Sequence, residues 1–149
     1  LTALQWEKKT NLDGNQTFTD PHDADNAYTW SAGGAGTTAA DGTAFTNFYQ
    51  GPGQGPFLAS LNSGGCFAGQ CDWRLPTRDE LLTIATFPAC TTLPCIDPAL
   101  GPTVAFAYWS ATTIVPNPAL AWQVLFDFRL LGTNGKGGGS YVRGVRSGL

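Results

Sequence analysis

Methionine is absent from the 149 residues, charged side chains make up only 13% of them, and histidine occurs once. Each gap excludes something. Without methionine Leu1 is not an initiator, so the expectation is a trimmed chain or a mature one left by removal of a secretion signal. A charged share about half the usual, beside five Trp, four Tyr and nine Phe, excludes a disordered chain. The lone histidine, His22, lies among acids and leaves little from which to build a Ser-His-Asp or Cys-His arrangement, so the chain reads as a non-enzyme. No stretch approaches the roughly 18 consecutive apolar residues of a membrane span. There is no basic excess either. Eight Lys and Arg against eleven Asp and Glu leave a net charge of −3, which offers no electrostatic footprint for nucleic acid. A local patch is the one remaining route to a polyanion, because Arg129, Lys136, Arg143 and Arg146 all fall in the last quarter of the chain.

What the sequence does hold is glycine (19), proline (10) and four cysteines, the composition of one loop-rich, β-leaning domain spanning residues 1–149. Cys66 with Cys71 and Cys90 with Cys95 each enclose four residues that include Gly or Pro. That spacing favours two local disulfides, with a four-cysteine zinc site or free thiols as rivals. Bridges place the domain in an oxidising compartment: extracellular, at a cell surface or periplasmic.

Along the chain, residues 1–10 read as an opening strand with Leu4 and Trp6 on one face. A polar loop covers 11–26, small residues fill 31–43, and Tyr28 and Trp30 between them pin the loop to the body. Two short helical pieces are expected at 43–50 and 55–62, split by Gly51-Pro52-Gly53-Gln54. Thr77-Arg78-Asp79-Glu80 is a capping box. It predicts a helix from Thr77 that ends by Phe87, with Leu81, Leu82, Ile84 and Ala85 buried and Pro88 beyond. Residues 108–113 form a strand and 114–119 a loop. Residues 121–131 alternate as one half-buried strand, with Trp122, Val124, Phe126, Phe128 and Leu130 inward and Gln123, Asp127 and Arg129 outward. A glycine-dense loop, 132–140, precedes a closing strand at 141–146.

Cys71-Asp72-Trp73-Arg74-Leu75-Pro76-Thr77-Arg78-Asp79-Glu80-Leu81 resembles the central signature of the Lcl C-terminal-like domain family, known from a bacterial collagen-like adhesin. Ile96-Asp97-Pro98, Tyr108-Trp109-Ser110-Ala111-Thr112, Ala121-Trp122 and Tyr141-Val142-Arg143-Gly144-Val145-Arg146 follow in the family's order, and Leu4-Gln5-Trp6-Glu7 fits its opening. The resemblance implies an α+β, C-type-lectin-like fold: a small antiparallel or mixed sheet with two main helices and long loops. It also implies adhesion or glycan recognition. The chain departs from the pattern in being acidic, where the namesake adhesin takes sulfated polysaccharide, and in lacking the ligand motifs of calcium-dependent lectins. The signature also has a purely structural reading, in which Trp73 and Leu75 pack under the helix and Arg74 pairs with a buried carboxylate.

For binding, the expected surface is the set of loops around the last strands: Tyr108, Thr112, Asn117, Gln123, Arg129, Asn134, Lys136 and Tyr141, a mixture of aromatic, amide and cationic groups suited to a glycan or protein ligand. Trp109 and Trp122 are assigned to the core. Asp20, Asp23, Asp25 and Asn26 form the densest acidic loop and the one calcium candidate. Their spacing fits no EF-hand, and a loop bonded to its own backbone is the plainer expectation, so no cofactor is assigned. Self-association into a filament or appendage, and a recognition domain diversified by a retroelement, are the alternative functions.

Overall fold

A computed structural model of the chain describes residues 3–30 and 57–148; the helix expected at 43–50 and the small-residue stretch at 31–43 lie outside these. The strands are β1 (Leu4–Trp6), β2 (Ala27–Tyr28), β3 (Ala107–Thr113), β4 (Leu120–Leu125), β5 (Leu130–Gly135), β6 (Ser140–Tyr141) and β7 (Val145–Ser147). The helices are α1 (Phe57–Asn62) and α2 (Arg78–Leu82), with single 3-10 turns at Phe67–Gly69 and Pro98–Leu100. The class is α+β, as expected. A mixed five-stranded sheet runs β2-β6-β3-β4-β5, with β3 and β6 parallel and the other pairs antiparallel, and β1 pairs with β7 in a separate two-stranded sheet.

The large sheet is covered on both faces because successive side chains of a strand point to opposite sides. Trp109 enters one core cluster with Tyr28, Trp30, Phe57, Leu61 and Trp73. Its neighbour Tyr108 enters a second with Leu81, Ile96, Val124 and Phe126. The three indole N–H groups of the first cluster are satisfied, Trp30 donating to the Ser110 carbonyl, Trp109 to that of Tyr28 and Trp73 to that of Phe67. Tyr28 and Trp30 therefore do pin the polar loop to the body.

The capping box at Thr77 forms as its sequence dictates. Thr77 Oγ1 accepts from the Glu80 amide, and the Glu80 carboxylate accepts from the Thr77 amide at 2.8 Å. The same carboxylate receives both guanidinium nitrogens of Arg74 at 2.7 Å, so the partner of Arg74 is this half-buried cap and not a buried acid. The helix ends by Phe87, as expected, stopping at Leu82; beyond it the chain enters an extended bridge, Ala85 with Ile96, and Thr86 N–H donates to the Cys95 carbonyl. Leu81 is buried, and Leu82, Ile84 and Ala85 pack half-buried on the second cluster.

The single strand expected over 121–131 is two strands of a hairpin. Residues 126–129 turn, Leu130 takes a left-handed φ of 63°, and β5 occupies much of the expected glycine loop. Phe128 is consequently exposed at the turn and does not face inward. Both cysteine pairs are bridged, Cys66 to Cys71 and Cys90 to Cys95, with Cα separations of 5.1 and 5.5 Å. No thiol remains for zinc. Among the described residues no helix is long and apolar enough to cross a membrane.

Candidate functional site

Strand β4 runs inside the sheet with β3 and β5 on either side, and this position removes most of the expected polar surface. Gln123 is buried, its side-chain amide donating to Ser140 Oγ. Tyr108 is buried in the second cluster, its hydroxyl accepting from the Val104 amide, and burial pushes its pKa up. Lys136 is wholly buried, its ammonium 3.9 Å from the Trp30 ring centroid and 3.0 Å from Thr113 Oγ1. These three residues belong to the interior and not, as expected, to the surface. Alternation places Gln123 outward, but a central strand has no outward face once both sides of its sheet are covered.

The register divides the other expected binding residues between the two ends of the sheet, with Thr112, Asn117 and Asn134 toward the β3–β4 turn and Arg129 at the β4–β5 turn. Thr112 is half-buried and accepts from the Arg78 amide. Tyr141 is half-buried against Tyr108, with ring centroids 5.6 Å apart. Asn134 is half-buried beneath Gly138, where an added Cβ would lie 2.7 Å from its amide nitrogen. Asn117 is exposed in the β3–β4 turn. Arg129 is exposed but forked onto Asp127, which it holds below the usual carboxylate range, and it lies over Phe106 at 5.6 Å. Trp109 is core; Trp122 is half-buried beneath the Arg78 guanidinium.

The basic residues of the last quarter form no patch. Arg143 is buried and donates to the carbonyls of Glu7 and Leu100 and to Thr103 Oγ1. Arg146 spans Asp72, Gln70 and Gln5. The acids of the N-terminal loop accept from nearby backbone amides. Asp20 accepts from the His22 amide, Asp23 from that of Asp25, and Asp25 from those of Asp13 and Gly14. Two buried oxygens there, Asp23 Oδ2 and Asn26 Oδ1, have no partner, but calcium wants six to eight oxygens. Among the described residues no three His, Cys, Asp or Glu side chains are placed to hold a metal ion together. The loop is bonded to its own backbone, in line with the plainer expectation.

What sequence reading missed is a cleft of about 850 Å³ over the second core cluster. Its most buried lining residues are Ile96 and Thr103, at 5% and 4% exposure. The disulfide-closed loop contributes Thr91, Thr92, Leu93 and Pro94; Gly101 and Pro102 contribute another part, and Lys8 and Leu12 come from the N-terminal segment. Two stretches distant in sequence, 8–12 and 86–103, meet here for identifiable reasons. The Cys95 amide donates to the Phe126 carbonyl at 2.8 Å and anchors the bridged loop. Lys9 N–H donates to the Leu100 carbonyl, and Gly101, at a φ of 84°, comes so close that an added Cβ would sit 2.3 Å from Lys9 O and 3.1 Å from Lys8 Cγ. Only glycine fits there.

Next to Lys8 in the chain lies a buried charge cluster that the sequence did not reveal. Glu7 is fully buried; Oε1 receives Lys9 Nζ at 2.9 Å and His22 Nδ1 at 2.8 Å, and Oε2 receives the Gly144 amide at 2.7 Å. Burial alone would raise the Glu7 carboxyl, but Lys9, His22 and Gly144 together outweigh it and hold it below its usual value. The cluster locks residues 7–9 in place, and with them the residue at position 8.

The model of the Lcl C-terminal domain family matches residues 1–146. None of the curated proteins matches the sequence significantly.

Proposed function

The chain belongs to the Lcl C-terminal domain family, and from that premise we propose that it is an extracytoplasmic, adhesin-like binding module whose ligand-binding surface is the cleft over Ile96. One observation carries the choice of surface: with Tyr108, Gln123 and Lys136 interior, the cleft is where accessible apolar side chains, hydroxyls and a cation come together. Two disulfides on a chain whose described helices cannot span a membrane support a location outside the cytosol. Binding is favoured over catalysis by the engagement of His22, which is tied to Glu7 through Nδ1 and packed on Phe67 at 4.2 Å, while all four cysteines are bridged. The test is a glycan array and a panel of immobilised surface proteins probed with the parent domain and with Leu93→Arg. Leu93 is 46% exposed, so the variant should fold. Binding that survives Leu93→Arg but is lost in Arg129→Ala would move the site to the β4–β5 hairpin.

A second reading is assembly. Phe106, Phe128 and Leu131 are 49%, 53% and 41% exposed, with Phe106 beneath Arg129 and Leu131 on the edge strand β5. Edge strands with apolar side chains favour association. A Phe128→Ser variant that lowers the oligomeric state in sedimentation would favour this reading.

A further inference from the structure

We propose that the cleft receives an extended acidic segment of a partner protein, seating one aliphatic side chain over Ile96 and a neighbouring carboxylate on Lys8. This deepens the reading of the cleft as the binding site and rests on it.

Charge is the first argument. The protein is acidic, and almost every cation it has is engaged internally: Lys9 by Glu7, Arg74 by Glu80, Arg78 by Asp79, Arg129 by Asp127 and Arg146 by Asp72, with Arg143 and Lys136 buried. Lys8 differs. It is exposed, makes no hydrogen bond or ion pair among the described residues, and is the one charged residue among those lining the cleft. Its stem is held against Gly101 by the locked backbone of residues 7–9, so the ammonium is presented at the cleft by a fixed base. An apolar cleft with a single cation at its edge complements an apolar group that carries a negative charge.

The second argument is the kind of polar group present. Among the described residues the lining holds no aromatic ring, no carboxylate and no side-chain amide, the groups on which a sugar ring stacks and by which its hydroxyls are paired. It does hold unpaired main chain. The backbone amides and carbonyls of Thr91, Thr92 and Leu93, and both threonine hydroxyls, make no hydrogen bond among the described residues. An extended peptide uses such groups: main-chain pairing supplies affinity, and a side-chain pocket supplies specificity.

The test uses the full domain, uniformly labelled with nitrogen-15, and four pools of end-blocked heptapeptides with Leu-Asp, Leu-Asn, Leu-Lys or Ser-Asp fixed at the centre; octanoate is a fifth probe. The Leu-Asp pool should shift the amides of Lys8, Thr91, Thr92 and Leu93, while Leu-Lys and Ser-Asp should not. Lys8→Ala should weaken that binding by about two- to fivefold, the range for a solvent-exposed ion pair. Lys8→Glu should reverse the preference toward Leu-Lys, and its spectrum reports directly that the variant is folded. Three results would overturn the proposal: no shift from any pool at millimolar concentration, equal shifts from Leu-Asp and Leu-Asn, or octanoate reproducing the peptide shifts. If Leu93→Arg abolishes binding to a surface ligand while no pool moves these amides, the cleft stands as the site and the peptide assignment alone is wrong.

Discussion

Replacing Glu7 by Gln should be among the most damaging conservative changes in this chain. The side chain is isosteric, so packing is preserved, and one of its polar atoms can still accept from Gly144. What disappears is the negative charge that faces Lys9, itself only 2% exposed and lodged 4.6 Å above the Phe57 ring. Removing one partner of a buried ion pair typically costs about 3 to 5 kcal/mol, because the other charge is left uncompensated. For a domain of this length that corresponds to a melting temperature lower by roughly 10 °C. Acid should narrow the difference. The folded-state pKa of Glu7 is depressed, so its contribution is fully present above the unfolded carboxyl value of about 4.3 and is lost as pH falls through the lower folded value. Thermal unfolding of parent and variant at pH 7, 4 and 2.5 should therefore show the gap widest at pH 7, beginning to narrow at pH 4 and narrower again at pH 2.5. Glu7→Gln/Lys9→Met should recover a good part of the loss, since removing both charges removes the unpaired one. A single variant within 1 kcal/mol of the parent at pH 7, or a double variant no better than the sum of its parts, would refute the reasoning.

Thr77→Ala should cost about 1 kcal/mol in equilibrium denaturation, from loss of the bond to the Glu80 amide, and leave ligand binding unaltered. Peptide mapping without reduction should recover Cys66 linked to Cys71 and Cys90 linked to Cys95, and opening either five-residue-separated bridge should cost about 2 kcal/mol on the loop-entropy model. Lys136→Ala and Arg129→Ala should part company: the first loses a desolvated contact with Trp30 worth about 2 kcal/mol, whereas the second removes a solvent-screened pair and should leave the calorimetric midpoint nearly unchanged.

The features legible in the sequence are those whose cause is local. The Thr77–Glu80 cap needs only four residues, each cystine only six, and the burial of Trp30 and Trp109 follows from size and hydrophobicity. The hairpin between β4 and β5 was hidden because its turn, Phe126-Asp127-Phe128-Arg129, contains no Gly, Pro or Asn. Leu130 takes the left-handed conformation a glycine would ordinarily supply, and the apolar alternation runs on through the turn as if nothing happened. Gln123, Lys136, Arg143 and Glu7 were hidden for another reason. A polar side chain reads as surface unless its partner is known, and Arg143 reaches Glu7 O and Leu100 O across 136 and 43 positions of chain.

That second kind of concealment bears on where binding chemistry resides. The polar residues that look functional in the last quarter are occupied in holding the fold together: Lys136 against Trp30, Gln123 to Ser140, Arg146 across Asp72 and Gln70. A buried polar group must be paired, so a chain with few regular elements ties its loops down with its own charges. The consequence is an inversion of the usual signal. In a protein this poor in charge, a cation that makes no bond is rarer than one that does. Lys8 is exposed, unpaired among the described residues, and held in place by the Glu7–Lys9 lock on one side and by Gly101 on the other. Nothing in the local sequence Glu7-Lys8-Lys9 separates Lys8 from Lys9. The fold does, burying one beside Phe57 and turning the other, one residue away, into the cleft.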